Sequence, residues 1–125
     1  MKHITILLAL LMTLSSPVAA QDFQKGLTAY QAGDYATALQ EWKPLAEAGY
    51  DVAQFFLGWM YDNGEGVPQD YAVAHMWYNI GSANGHELGG TSRDEIAKKM
   101  TPAAIEKAQA MARECMSSGY TKCGE

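Results

Sequence analysis

The sequence predicts an all-α fold of short antiparallel helices laid side by side as repeats. Three observations point there: a segment that returns at an offset of 36 residues, apolar positions spaced three and four apart, and cap residues at the ends of those stretches. Asp34-Tyr35-Ala36-Thr37-Ala38 returns as Asp70-Tyr71-Ala72-Val73-Ala74, and at the same offset Trp42 meets Tyr78, Ala46 meets Ser82 and Gly49 meets Gly85. Self-similarity at this period marks helical repeat architectures, so two copies of one helix are expected.

Residues 1–20 have the order of a secretory signal. Lys2 and His3 precede an apolar stretch, Ile4 to Leu14, and Ser15-Ser16-Pro17 lead into Val18-Ala19-Ala20. Eleven mostly apolar residues fall short of the roughly 20 that a membrane-spanning helix needs. Cleavage is expected between Ala20 and Gln21, and no cysteine follows the cut to carry a lipid. Periplasmic or secreted location in a bacterium, without membrane insertion after processing, is the matching expectation. Processing removes Lys2 from nine basic residues and none of the fourteen acidic ones, leaving a net charge of about −6. An acidic chain without a basic patch makes a poor nucleic-acid binder. Residues 21–125 are long enough for one domain with a thin core.

The elements follow in chain order. Phe23 to Ala32 is expected to cap the array in front. Asp34 to Ala48 reads as an amphipathic helix because Tyr35, Ala38, Leu39, Trp42, Leu45 and Ala46 share a stripe, with Asp34 as N-cap and Gly49 as the left-handed stop. Asp51 with Gln54 resembles a capping box for a second helix, Val52 to Asp62, which Asn63-Gly64 and Gly66-Val67-Pro68 end. Asp70 opens the second copy, with Tyr71, Ala74, His75, Tyr78 and Gly81 on its stripe and Gly85 as its stop. Gly89-Gly90 costs a helix roughly 1 kcal/mol per glycine against alanine, so the next helix is expected to start late, at Ser92-Arg93-Asp94-Glu95, and to run through Ile96 to Met100. Thr101 then caps a last helix, Pro102 to Ser117.

One run carries more than periodicity. Gly49…Ala53-Gln54-Phe55-Phe56-Leu57-Gly58-Trp59-Met60-Tyr61…Gly64-Glu65-Gly66-Val67-Pro68-Gln69-Asp70-Tyr71-Ala72…Ala74…Trp77-Tyr78…Ala83…Gly85 resembles a Sel1-like repeat. The resemblance spans about residues 34–85, and the capping helices would occupy about 92–118; Arg93 to Glu114 is similar to the C-terminal end of bacterial members. It implies a short right-handed superhelical solenoid of antiparallel helix pairs, similar to tetratricopeptide arrays, with a scaffold or adaptor role. Cys115 and Cys123 are an even pair in a chain read as exported, the usual setting for a disulfide. Eight positions of continuous helix span roughly 12 Å, too far for a cystine, so the chain must turn at Ser117-Ser118-Gly119. Cysteine-rich relatives of this repeat link paired helices across a similar spacing, which favours a structural staple. A redox-active pair is the sharper alternative, but Cys-x₇-Cys lacks the vicinal geometry of Cys-x-x-Cys.

Catalytic machinery is not expected. His75 and His86 stand eleven apart without a partner at metal spacing, and His86-Glu87-Leu88-Gly89-Gly90 lacks the second histidine of His-Glu-x-x-His. No Ser-x-x-Lys or Gly-x-Ser-x-Gly occurs. Asp62, Glu65 and Asp70 cluster near glycines, but Val67 stands where a calcium loop needs glycine. No Lys follows Gly64 and Gly66 to support a phosphate site. Hence no metal and no cofactor are expected.

Val52, Phe55 and Trp59 form a second apolar stripe on the middle helix, beyond its core face. Either neighbours sandwich that helix, or part of the stripe stays open with Trp77 to anchor a partner, since aromatic residues dominate binding hot spots. Trp77 aligns with Glu41 of the other copy, so its position reads as solvent-tolerant. The candidate partner-binding residues are therefore Trp77, Trp59 and Phe55. The expected function is an interaction module that binds an envelope or secreted protein. Two other readings stay open: a hydrolase, since some cysteine-rich relatives are linked to β-lactam binding or hydrolysis, and a chaperone-like factor without a fixed partner. The end faces of a short array also leave self-association open.

Overall fold

A computed structural model describes residues 18–124, with side chains from residue 22 onward. The expected signal therefore lies largely outside the described residues, and the side chains of Ala20 and Gln21 wholly so. Six helices follow one another: α1 Val18–Gln31, α2 Tyr35–Glu47, α3 Asp51–Asn63, α4 Tyr71–Ala83, α5 Gly89–Ala97 and α6 Pro102–Ser117. No strand occurs among the described residues. The chain is an all-α helical repeat protein.

Caps fix most of the boundaries. Asp34 Oδ1 accepts the Thr37 N–H at 3.2 Å, Asp70 Oδ1 accepts those of Ala72 and Val73 at 3.0 and 3.1 Å, and Thr101 Oγ1 accepts that of Ala104 at 3.1 Å. Each satisfies a donor that the first helical turn leaves unpaired. Gly64 stops α3 in the left-handed conformation, where a side chain would be strained.

The second helix departs from its expected cap. Asp51 is the first residue of α3, behind an N-cap, Tyr50, that makes no side-chain cap bond. Gln54 is fully buried instead of capping: its Nε2 donates to the Ala46 carbonyl at 3.0 Å and its Oε1 accepts from Asn84 Nδ2 at 2.8 Å. It pins α3 to the end of each repeated helix, a use that local spacing does not reveal.

Consecutive helices pack on one another from α1 to α4, and α4 then carries both α5 and α6. One core cluster joins Trp42, Leu45, Leu57, Met60, Met76, Trp77, Ile80 and Cys115, with Phe23, Leu27 and Tyr30 of α1 against it. A single device recurs in the first two helix pairs. Trp42 of α2 lies on Gly26 of α1, and Tyr78 of α4 lies on Gly58 of α3, each so close that a methyl on the glycine would overlap the ring. Both rings are fully buried, and both polar tips are satisfied: Trp42 Nε1 donates to the Phe23 carbonyl at 3.2 Å, Tyr78 Oη to Asp62 Oδ2 at 3.0 Å. The α1/α2 pair is thus built as a version of α3/α4.

The late start expected for the fifth helix is also corrected: α5 begins at Gly89, and Ser92 sits inside it. A methyl at Gly89 would stand 2.7 Å from the Tyr78 carbonyl oxygen and 2.8 Å from the Ser82 nitrogen. Glycine is there because α5 touches the α4 backbone.

Candidate protein-interaction site

The structure separates the three aromatic candidates. Trp77 is 3% exposed, in the core beneath the C-terminal segment, so its reading as an open anchor is overturned. The matching position, Glu41, is itself largely covered and pairs with the exposed Lys25 at 3.0 Å, so it gives no measure of how open position 77 is. Phe55 is also buried, at 8% exposure, with its ring stacked on His86 at 4.2 Å between centroids. It is filled from within the chain and cannot anchor a partner.

Trp59 is the candidate that stays open, at 41% exposure. It does not hang free. Its Nε1 donates to Tyr30 Oη at 2.9 Å and to Glu65 Oε1 at 3.1 Å, while Tyr30 Oη donates to the same Glu65 oxygen at 3.0 Å. Three parts of the chain meet here: α1 supplies Tyr30, α3 supplies Trp59, and the loop after α3 supplies Glu65. Gly64 reverses the chain so that the Glu65 N–H bonds the Met60 carbonyl at 2.9 Å, and Asn63 Nδ2 holds the Trp59 carbonyl at 2.9 Å. Gly66 then passes so near the Tyr35 backbone that a side chain there would collide with it.

Burial and the hydrogen bond to Glu65 push the Tyr30 phenol up to about 12, so it stays a neutral donor at ordinary pH. The Tyr35 phenol is also raised, first by hydrogen bonding with Glu65. The Tyr30 and Tyr35 rings stand 5.2 Å apart. The result is an indole held in one orientation beside two tyrosines and an acid. Such a surface can recognise a partner. Sequence reasoning found Trp59 but missed Tyr30, Tyr35 and Glu65 as its companions. Nothing local connects positions 30, 59 and 65; only the packing of α1 against α2 and α2 against α3 brings them together.

Two hollows are lined by residues other than these. A cleft of about 500 Å³ opens between the start of α4 and α6, lined by Asp70, Val73, Lys107, Met111 and Glu114. A hollow of about 40 Å³ is lined by Leu39, Lys43, Leu57, Tyr61 and Trp77. Residues of the C-terminal segment, Thr121 and Gly124, line both. That segment turns back from α6, and Cys115 and Cys123 are joined with their Cα atoms 4.4 Å apart. Among the described residues, no group of three or more His, Cys, Asp or Glu could hold a metal ion, and no helix is long and apolar enough to cross a membrane.

No curated protein matches the chain. Residues 51–86, α3 with α4 and their flanking turns, match the family model of the Sel1 repeat. That match covers the helix pair whose Gly58–Tyr78 contact and Gly64 stop were described above. Sel1 repeats typically serve as non-catalytic protein-interaction modules, and residues 51–86 of this chain are one such repeat.

Proposed function

We propose that the chain is an exported adaptor that docks one protein partner through the surface around Trp59. The observation that carries this reading is the oriented, part-exposed indole, fixed by Tyr30 and Glu65. Tryptophan and tyrosine are enriched among residues that dominate binding energy, and a side chain already held in place loses less freedom on binding. The nearby acid and the second tyrosine favour a partner segment that brings a donor or a cation to an aromatic face.

A photoreactive amino acid at position 59, introduced in cells, is expected to crosslink one protein in stoichiometric yield. The same group at Leu88, more exposed at 56%, is the control and is expected to capture nothing in common with it. Identical capture profiles at both positions would remove the assignment. Trp59→Ala is expected to end co-purification of the captured protein while the circular dichroism of the adaptor stays helical, at the cost of a lower thermal midpoint from the lost bonds to Tyr30 and Glu65. Export is tested apart from binding: N-terminal sequencing of protein recovered from cells is expected to read Gln21 first.

A further inference from the structure

We propose that the partner docked at Trp59 presents an arginine there, whose guanidinium lies on the indole and pairs with the Glu65 carboxylate. The inference rests on the docking surface above and names the chemistry of what it takes. It starts from an unbalanced charge. Trp59 Nε1 and Tyr30 Oη both donate to Glu65 Oε1, at 3.1 and 3.0 Å, and Trp59 Nε1 also donates to Tyr30 Oη at 2.9 Å. The Tyr35 phenol hydrogen-bonds the same acid. All three donors are neutral, so they hold the carboxylate in place without cancelling its charge. The ion pairs among the described residues join Lys25 to Glu41, Arg93 to Asp94 and Lys98 to Glu95, and none of them uses Glu65. A carboxylate has roughly four acceptor sites, so these donors leave room for another. Glu65 is only partly buried, and a cation can reach it from outside. The whole chain has fourteen acidic residues against nine basic ones, which favours a basic partner surface at any such contact.

The indole selects the kind of cation. Its polar edge is already used within the chain, so what Trp59 presents outward, at 41% exposure, is ring surface rather than a donor. The face of an aromatic ring attracts a cation. A planar guanidinium stacks on that face while its N–H groups reach sideways to a carboxylate at the ring edge, and Glu65 stands at that edge. An ammonium is a strongly hydrated point charge that cannot stack. Burial and Glu65 hold the Tyr30 phenol up to about 12, so the tyrosine adds no charge of its own at ordinary pH. The ring and the acid are already held in place by each other and by Tyr30, which limits the freedom lost on binding.

The probes are Nα-acetyl-arginine amide, Nα-acetyl-citrulline amide and Nα-acetyl-lysine amide, titrated into the ¹⁵N-labelled full chain. Citrulline keeps nearly the shape of arginine and lacks its charge. The Trp59 indole N–H signal is expected to move saturably with the arginine derivative, and the other two are expected to bind about tenfold more weakly. Trp42 and Trp77, both buried, are the internal references and are expected to stay still. Glu65→Gln keeps an oxygen for Tyr30 and Trp59 but removes the charge, and is expected to weaken arginine binding about tenfold with citrulline binding unchanged. Equal affinity for arginine and citrulline overturns the proposal, as does equal affinity for lysine or a Trp59 signal that none of the probes moves. The comparison of probes uses the unaltered protein, so it does not depend on how well the variant folds. Capture of a partner at position 59 without an arginine preference leaves the docking surface standing and removes this inference. An arginine preference without any captured protein keeps the guanidinium site and removes the adaptor reading.

Discussion

The Gly58–Tyr78 contact shows how little room the core leaves. A methyl at Gly58 would sit 2.5 Å from Tyr78 Cδ1, and Tyr78 cannot retreat, since it is fully buried and bound to Asp62. Alanine is the better helix former by roughly 1 kcal/mol, yet overpacking of this kind costs about 1–3 kcal/mol. Gly58→Ala is therefore expected to lower stability, measured as a lower urea midpoint at unchanged slope. His75 makes a pH-dependent contribution. Its ring is 3% exposed, and its Nδ1 has no hydrogen-bond partner among the described residues. Burial, then the Arg93 charge, lowers its pKa from the ordinary 6.5, against a smaller opposing effect of Asp94. The unfolded chain then takes up a proton before the folded one as the pH falls. Stability is full above 6.5 and declines below it until the folded ring also protonates. Urea midpoints between about pH 7.5 and about pH 5.5 are expected to fall, and His75→Leu to flatten that part of the slope. Neither effect is legible in the sequence, where Gly58 is one more small residue and His75 one more stripe position.

Helices whose ends are set by local chemistry were readable; helices set by docking were not. The repeated Asp-Tyr-Ala start and Thr101-Pro102 carry their caps within three residues, and α2, α4 and α6 begin where those signals say. By contrast, α5 begins with two glycines, and propensity alone argues for a later start. The contact of Gly89 with the α4 backbone explains the difference, and it sets two effects of opposite sign against each other. Propensity says that Gly89→Ala should stabilise by roughly 1 kcal/mol. The methyl would meet backbone atoms at 2.7 and 2.8 Å, and backbone cannot turn aside as a side chain can, so a loss of about 1–3 kcal/mol is expected instead. A thermal midpoint above that of the unsubstituted protein would show that α5 is not docked on α4. The start of α6 offers a cleaner case: Thr101→Ala removes one exposed cap bond and is expected to cost about 1 kcal/mol.

A repeat of 36 residues makes copies look interchangeable, but a chain with so few of them is dominated by its ends. Glu41 and Trp77 occupy matching positions, yet one reaches an exposed lysine, Lys25, while the other lies under residues 120–124, because only the second copy has α6 and its tail as a neighbour. Internal alignment therefore misread Trp77, and no periodicity could have corrected it: the covering segment lies more than 40 residues away along the chain. The same asymmetry bears on cooperativity. Long repeat arrays lose all-or-none unfolding because each unit leans only on its neighbours. Here α4 holds α3, α5 and α6 together, and one core cluster reaches from Phe23 to Cys123. Far-ultraviolet circular dichroism and tryptophan fluorescence are thus expected to give coincident urea transitions in the oxidised protein. The disulfide closes only a short terminal loop, which limits its chain-entropy contribution to about 2.5 kcal/mol. Replacing Cys123 alone with serine is expected to move that single transition to lower urea by the equivalent of about this amount, and replacing buried Cys115 as well to move it further. Two resolved steps, with the Trp42 end surviving the rest, would mean that the helices unfold as separate pairs.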